Sequence, residues 1–286
     1  MRKCLLFVLL ILCNISLFSQ EFEEIFLEKN FVLYRNSLVK LKDDFIPNIS
    51  FYRSLNSAVN NELPVLFPSV ESKWSTDKDS IKNRIFKVES VFDHRGLPIF
   101  IEDEIKMGYY DEPIFCLKDT TTNQRMYYRY DTNYERDFPF LCKGVNLDKK
   151  YLEKDIERIV DKYDGKITIN SPLSKDVALI KVIKNNQVSY YLSLSTIGRT
   201  LNIGKYGVNL IFKDGTKWNK QAKIDVETHS GGSWKYSAFI KLNSQDLKLF
   251  SNKYIDSFRL YIYDNERNGV YGKIFKEYVE LITTMK

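Results

Sequence analysis

The stretch Val177-Ala-Leu-Ile-Lys-Val-Ile-Lys-Asn-Asn-Gln-Val-Ser-Tyr-Tyr-Leu-Ser-Leu194 decides the fold class. Two runs rich in β-branched and aromatic residues flank Asn185-Asn186. Asn tolerates the positive φ that a tight hairpin turn requires, so the stretch reads as strand, turn, strand. The same grammar repeats downstream. Gly207–Phe212 meets Asp214-Gly215 and then Thr216-Lys217-Trp218. Lys223–Thr228 meets Gly231-Gly232 and then Trp234–Leu242, where Trp234, Tyr236, Ala238, Ile240 and Leu242 alternate with Lys235, Ser237 and Lys241. That period of two gives one buried and one wet face. Phe239 alone breaks the wet face.

Ser244–Phe250 reads as a short capped helix. Ile255–Tyr263 reads as one strand apolar on both faces. Ile274, Tyr278, Leu281 and Met285 recur at helical spacing, which predicts a closing amphipathic helix. Turns every 8–12 residues among so many short strands predict an antiparallel β-sandwich. Upstream, Ile85–Phe92 and Leu97–Ile101 flank His94-Arg95-Gly96, and Met126–Tyr130 follows. This points to a small β-rich, barrel-like segment. The fold class is therefore mainly β, with a C-terminal sandwich behind a smaller β-rich part.

Composition divides the chain in a consistent way. All seven prolines lie at or before Pro172, and eight of the twelve glycines lie at or after Gly198. Residues 21–172 carry 23 Lys/Arg against 27 Asp/Glu, while residues 173–286 carry 18 against 10. These shifts place a change of unit near Ser171-Pro172 or some 20 residues before it. The plan that follows is 1–19 as a signal peptide, 20–83 without readable structure and 84–150 as a small β-rich domain. Residues 151–286 form the sandwich, opening on a helix over 148–157 and a strand pair. Phe22, Ile25, Phe26 and Leu27 suggest a helix start in the unreadable part.

The leader reading rests on Arg2-Lys3, ten apolar residues from Cys4 to Cys13, and Ser19-Gln20 as the cut. Ten apolar residues are too few for a membrane span, which needs about 20. Leu12 is too large to precede a lipidated cysteine, so an anchor at Cys13 is disfavoured. The expected location is secreted or periplasmic. Arg2 and Lys3 supply two of the charges behind the net +6, leaving +4 beyond residue 20. Cys116 and Cys142 then remain, either as one disulfide or as two buried thiols.

No catalytic or cofactor motif survives inspection. Gly198-Arg-Thr-Leu-Asn-Ile-Gly204-Lys205-Tyr206 has five residues between its glycines and Tyr after Lys, so it fails as a phosphate loop. Asp264-Asn-Glu266-Arg-Asn268-Gly269 starts like a calcium loop but has Glu266 at position three and Phe275 at position twelve. Two histidines, His94 and His229, exclude a His-rich metal site. His94 with either cysteine, or His229 with Ser230 or Ser233, would be needed for nucleophilic chemistry. Glu102-Asp103-Glu104 and Asp111-Glu112 are acidic clusters at strand ends, and a glycosidase pair has no local signature. Asp79-Ser80-Ile81 and Asp119-Thr120-Thr121 match a short acceptor pattern for bacterial O-glycosylation.

The aromatic and basic residues say more. Trp218 and Trp234 sit beside Lys217, Lys220 and Lys235, with Tyr190, Tyr191, Tyr261 and Tyr263 on neighbouring strands. Such a face stacks on sugars and attracts polyanions, and Trp218, Trp234, Lys217 and Lys235 are the expected ligand contacts. Ordinary core packing explains the same residues. Scattered lysines disfavour nucleic acid. The leading expectation is a binding or structural protein of the bacterial cell envelope, holding a polysaccharide or polyanion or another protein, with no cofactor and no metal. A hydrolase of extracellular polymer and an inhibitor-type partner protein are the alternatives.

Overall fold

The computed structural model describes residues 21–43, 50–60, 81–100, 112–133, 135, 138–266 and 269–285. The chain is mainly β and antiparallel, and it divides into two compact units at Asn146/Leu147.

The N-terminal unit holds one eight-stranded sheet. Its strands are β1 (Glu23–Glu24), β2 (Leu38–Leu41), β3 (Phe51–Tyr52), β4 (Ile85–Phe92), β5 (Pro98–Ile99), β6 (Ile114–Asp119), β7 (Arg125–Arg129) and β8 (Phe140–Lys143). The order is β1-β8-β2-β4-β6-β7-β3, with β5 on β4. The segment 20–83 thus contributes three strands to the sheet built by residues 85–143. The sheet curls into a half-barrel. In a flat sheet β8 and β3 would lie five strand spacings apart, about 24 Å. Yet the rings of Phe51 on β3 and Phe140 on β8 are 6.2 Å apart.

Aromatic rings fill the inside of the curl. Tyr34 meets Phe115 at 5.4 Å, Phe138 at 5.3 Å and Tyr130 at 5.7 Å. The Tyr34 hydroxyl donates to the Ile25 carbonyl (2.7 Å) and accepts from the Leu27 amide (3.0 Å). That latch holds residues 25–27 out of a helix, against the sequence expectation; a 3₁₀ segment, Glu28–Tyr34, follows instead. On the outer face, helix α1 (Leu55–Val59), capped by Ser54, covers Tyr52 and Ile114.

The C-terminal unit is a sandwich. One sheet has six strands in the order β15 (Asp225–Thr228), β16 (Trp234–Leu242), β12 (Gln187–Gly198), β11 (Val177–Lys184), β10 (Ile167–Asn170) and β9 (Glu157–Val160). The other has four, in the order β14 (Lys217–Lys223), β13 (Tyr206–Phe212), β17 (Ile255–Leu260) and β18 (Tyr263–Glu266). Leu179, Leu192, Leu194, Ala238 and Ile240 from the first meet Val208, Leu210, Phe212, Phe258 and Leu260 from the second. Helices α2 (Lys149–Glu153), α3 (Ser244–Asn252) and α4 (Gly269–Thr284) accompany the sheets, and Phe275, Val279 and Ile282 of α4 join the core.

The β11–β12 hairpin turns through Asn185 (φ 50°) and Asn186 (φ 61°), as the Asn pair implied. The expected strand over 255–263 breaks instead. Tyr261 adopts φ 57° and the chain reverses into β18. Phe258 and Leu260 face the core, while Ser257 and the exposed Arg259 face outward, so the strand is apolar on one side only.

The Cys116–Cys142 bond does not form. Both cysteines are buried free thiols. β6 and β8 are separated by β4 and β2. Strand alternation puts Cys142 on the inner face with Phe140, and Cys116 on the opposite face from Phe115.

Candidate functional site

The outer face of the four-stranded sheet carries two rows of side chains in cross-strand register. One row runs Asn219–Asn209–Arg259–Asp264, and the other runs Lys217–Ile211–Ser257–Glu266. Each row crosses four strands, about 14 Å, and the rows lie about 7 Å apart because they are two residues apart along each strand. Together they line a groove of about 460 Å³. Alternation explains its polarity. Val208, Leu210, Phe258 and Leu260 point to the core, so Asn209, Ile211, Ser257 and Arg259 point away.

The groove is electrically balanced. Arg259 clasps Asp264 through two bonds, Nε to Oδ1 at 2.5 Å and Nη2 to Oδ2 at 2.9 Å. The guanidinium holds the Asp264 carboxyl below its usual range. Lys217 and Glu266 stand at opposite ends of the second row. Two amides, one hydroxyl and two charges of each sign offer donors and acceptors to an uncharged polar ligand.

A hydrolytic reading requires a carboxyl kept protonated as general acid. Asp264 and Glu266 do share this face, but Asp264 is moved in the opposite direction by Arg259. A thiol nucleophile needs a lowered pKa. Burial pushes both Cys116 and Cys142 upward. His229 is exposed at the start of a one-turn 3₁₀ segment, where Ser233 Oγ donates to the Ser230 carbonyl at 2.7 Å. His94 lies in the β4–β5 turn of the other unit. Among the described residues no three His, Cys, Asp or Glu side chains group as a metal site, and no helix is long and apolar enough to cross a membrane. Asp264 and Glu266 lie within β18 and not in a calcium-type loop.

The four expected ligand contacts do not come together. Trp218 is a core residue, 6% exposed, with its ring edge-on to Phe250 at 5.2 Å. Its indole N–H donates to Asp246 Oδ1 at 2.7 Å. Lys220 Nζ donates to Asp246 Oδ2 at 3.0 Å, and Asp246 and Asn243 cap α3 reciprocally. Burial alone would raise the Asp246 carboxyl, but the bonds from Trp218, the Asn243 amide and Lys220 outweigh it and hold it low. Trp234 is half-buried against the core. Lys235 pairs in register with Ile197 on the other sheet, and only Lys217 reaches the groove.

An aromatic and basic sheet face does exist on the outer side of the six-stranded sheet; alternation puts the expected Lys235 and Tyr191 on it, but with Phe239 and Lys241 in place of the two tryptophans. Tyr191 and Phe239 stack at 4.8 Å with 10° between their planes, and Lys241 faces Tyr191 across the strands. The signal was Phe239 itself, the apolar residue that breaks the wet face of β16. The rings are turned on one another, which reduces what they offer a ligand.

Other expectations resolve locally or lie elsewhere. Asp119 is buried, accepts from the amides of Thr121 (2.7 Å) and Thr122 (2.9 Å), and pairs with Arg84 at 2.9 Å, so this Asp-Thr sequence builds a turn. Ile81 is buried. Glu112 pairs with Arg129. The leader with Cys13, Asp79-Ser80, Glu102-Asp103-Glu104, Asp111 and Asn268 lie outside the described residues. No protein family model, curated protein or solved structure matches the chain.

Proposed function

We propose that this is a binding protein of the cell envelope that holds an uncharged polysaccharide along the groove of its four-stranded sheet. The carrying observation is the pair of cross-strand rows, with Asn209 and Asn219 as adjacent amides and the charges cancelling across the groove. Paired amides and carboxylates match the alternating donors and acceptors of sugar hydroxyls. Residues 173–286 carry 18 Lys/Arg against 10 Asp/Glu, so a balanced groove within a basic unit favours a neutral ligand over a polyanion. The leader-like first twenty residues support the envelope location.

The test is retention of the full chain on insoluble cell-wall polysaccharide, with calorimetry on soluble oligosaccharides. Asn209→Ala/Asn219→Ala is expected to weaken retention about tenfold or more, the loss of roughly one or two net hydrogen bonds. Both residues are exposed, so the unfolding midpoint should stay put. Equal retention of variant and wild type would overturn the reading. So would retention on anionic polymers alone that disappears with added salt.

A further inference from the structure

A second surface, independent of the groove, lies at one end of the sandwich. The loop between β12 and β13 exposes Leu201 (44%), Ile203 (73%) and, at its end, Tyr206 (58%). The neighbouring β17–β18 turn exposes Ile262 (56%). The two meet directly. Tyr261 N–H donates to the Gly207 carbonyl at 3.0 Å, and Lys205 Nζ sits 5.2 Å above the Tyr261 ring.

The loop is held rather than loose. The hydroxyls of Tyr236 and Tyr263 both donate to the Thr200 carbonyl, the latter at 2.7 Å. The Asn202 amide returns a bond to each: its backbone N–H to Tyr236 Oη at 2.9 Å and its side chain to Tyr263 Oη at 2.8 Å. Gly198 lets the tyrosines in, since a Cβ there would come within 2.5 Å of the Tyr263 ring. Folding therefore fixes three aliphatic side chains and a tyrosine pointing into water, where hydrophobic burial would normally oppose them. Arg199 and Lys205 flank them, and neither pairs with a carboxylate among the described residues.

From this we infer that the loop tips dock on an anionic lipid surface, with Leu201, Ile203 and Ile262 entering the interface and Arg199 and Lys205 meeting lipid phosphates. The area decides against a protein partner. A stable protein interface buries roughly 800 Å² on each side, from about 20–30 residues. Four exposed side chains on two turns fall well short of that. Shallow apolar insertion beside cations is the arrangement by which peripheral proteins hold a charged bilayer.

The experiment is co-sedimentation of the full chain with phosphatidylcholine vesicles, with and without phosphatidylglycerol. Partition is expected to rise with phosphatidylglycerol and to fall with salt. Ile203→Asp/Ile262→Asp should lower it about tenfold or more. In the Ile203→Trp variant the new indole should shift its emission to the blue on vesicles and be quenched by brominated acyl chains. Equal partition of wild type and the double Asp variant would overturn the inference, since binding would then trace to another segment, such as the apolar run in residues 1–20. An unquenched indole on vesicle-bound protein would overturn it as well, as would absence of vesicle binding.

Discussion

Replacing Asp246 by Ala tests whether Trp218 is structural. The carboxylate accepts the buried Trp218 indole N–H, the Lys220 ammonium and the Asn243 backbone amide, and is itself 6% exposed. Asp246→Ala strands the indole N–H, which costs about 1–3 kcal/mol. It also removes half of the α3 capping box, worth about 1 kcal/mol. The Lys220 ammonium is part-exposed, so its ion pair adds at most about 1 kcal/mol. The expected loss is about 2–5 kcal/mol by these terms together. Urea unfolding followed by tryptophan fluorescence measures it, because Trp218 and Trp234 both lie in the C-terminal unit. The pH dependence has a definite sign. Asp246 titrates below its unfolded value of about 3.9, so its contribution is complete above that pH and disappears as pH falls through the lower folded value. The gap between wild type and Asp246→Ala should therefore be full at neutral pH and shrink in acid below about pH 4. A neutral-pH gap under about 0.5 kcal/mol, typical of surface sites, would refute the reasoning. So would a gap that is unchanged in acid.

Two further outcomes follow from packing. Gly272→Ala places a Cβ 2.1 Å from the Ile255 carbonyl oxygen, so α4 must move off β17. We expect a loss of about 1–3 kcal/mol or more, read as a lower urea midpoint. Cys116 and Cys142 should resist a thiol-alkylating reagent in the native protein, then take up one equivalent each on unfolding without reductant. Peptide mass spectrometry after proteolysis reads the count at these two positions, and unmodified, disulfide-linked peptides would contradict the free thiols.

Local chemistry made much of the sandwich legible. The Asn185-Asn186 and Asp214-Gly215 turns, the alternation of Trp234–Leu242 and the spacing of Ile274, Tyr278 and Leu281 each act over a few residues. The failures share a cause. Tyr261-Ile262 carries no turn signature, yet the chain reverses there, with Tyr261 at positive φ beside Gly207 of another strand. Phe22–Leu27 has helical spacing, but the hydroxyl of Tyr34 claims its backbone.

By itself the sequence determined a mainly β chain, its hairpins, its closing helix and a basic C-terminal part, because propensity and periodicity are short-range properties. Tertiary structure alone decided which side chains meet. Cross-strand register gathered Asn219, Asn209, Arg259 and Asp264 into one row although they span 56 positions of chain from first to last. Sheet curl brought Phe51 to Phe140, and an Asp from α3 turned Trp218 from a candidate contact into core. Register and curl arise from the pairing of distant strands, and no local pattern encodes that pairing.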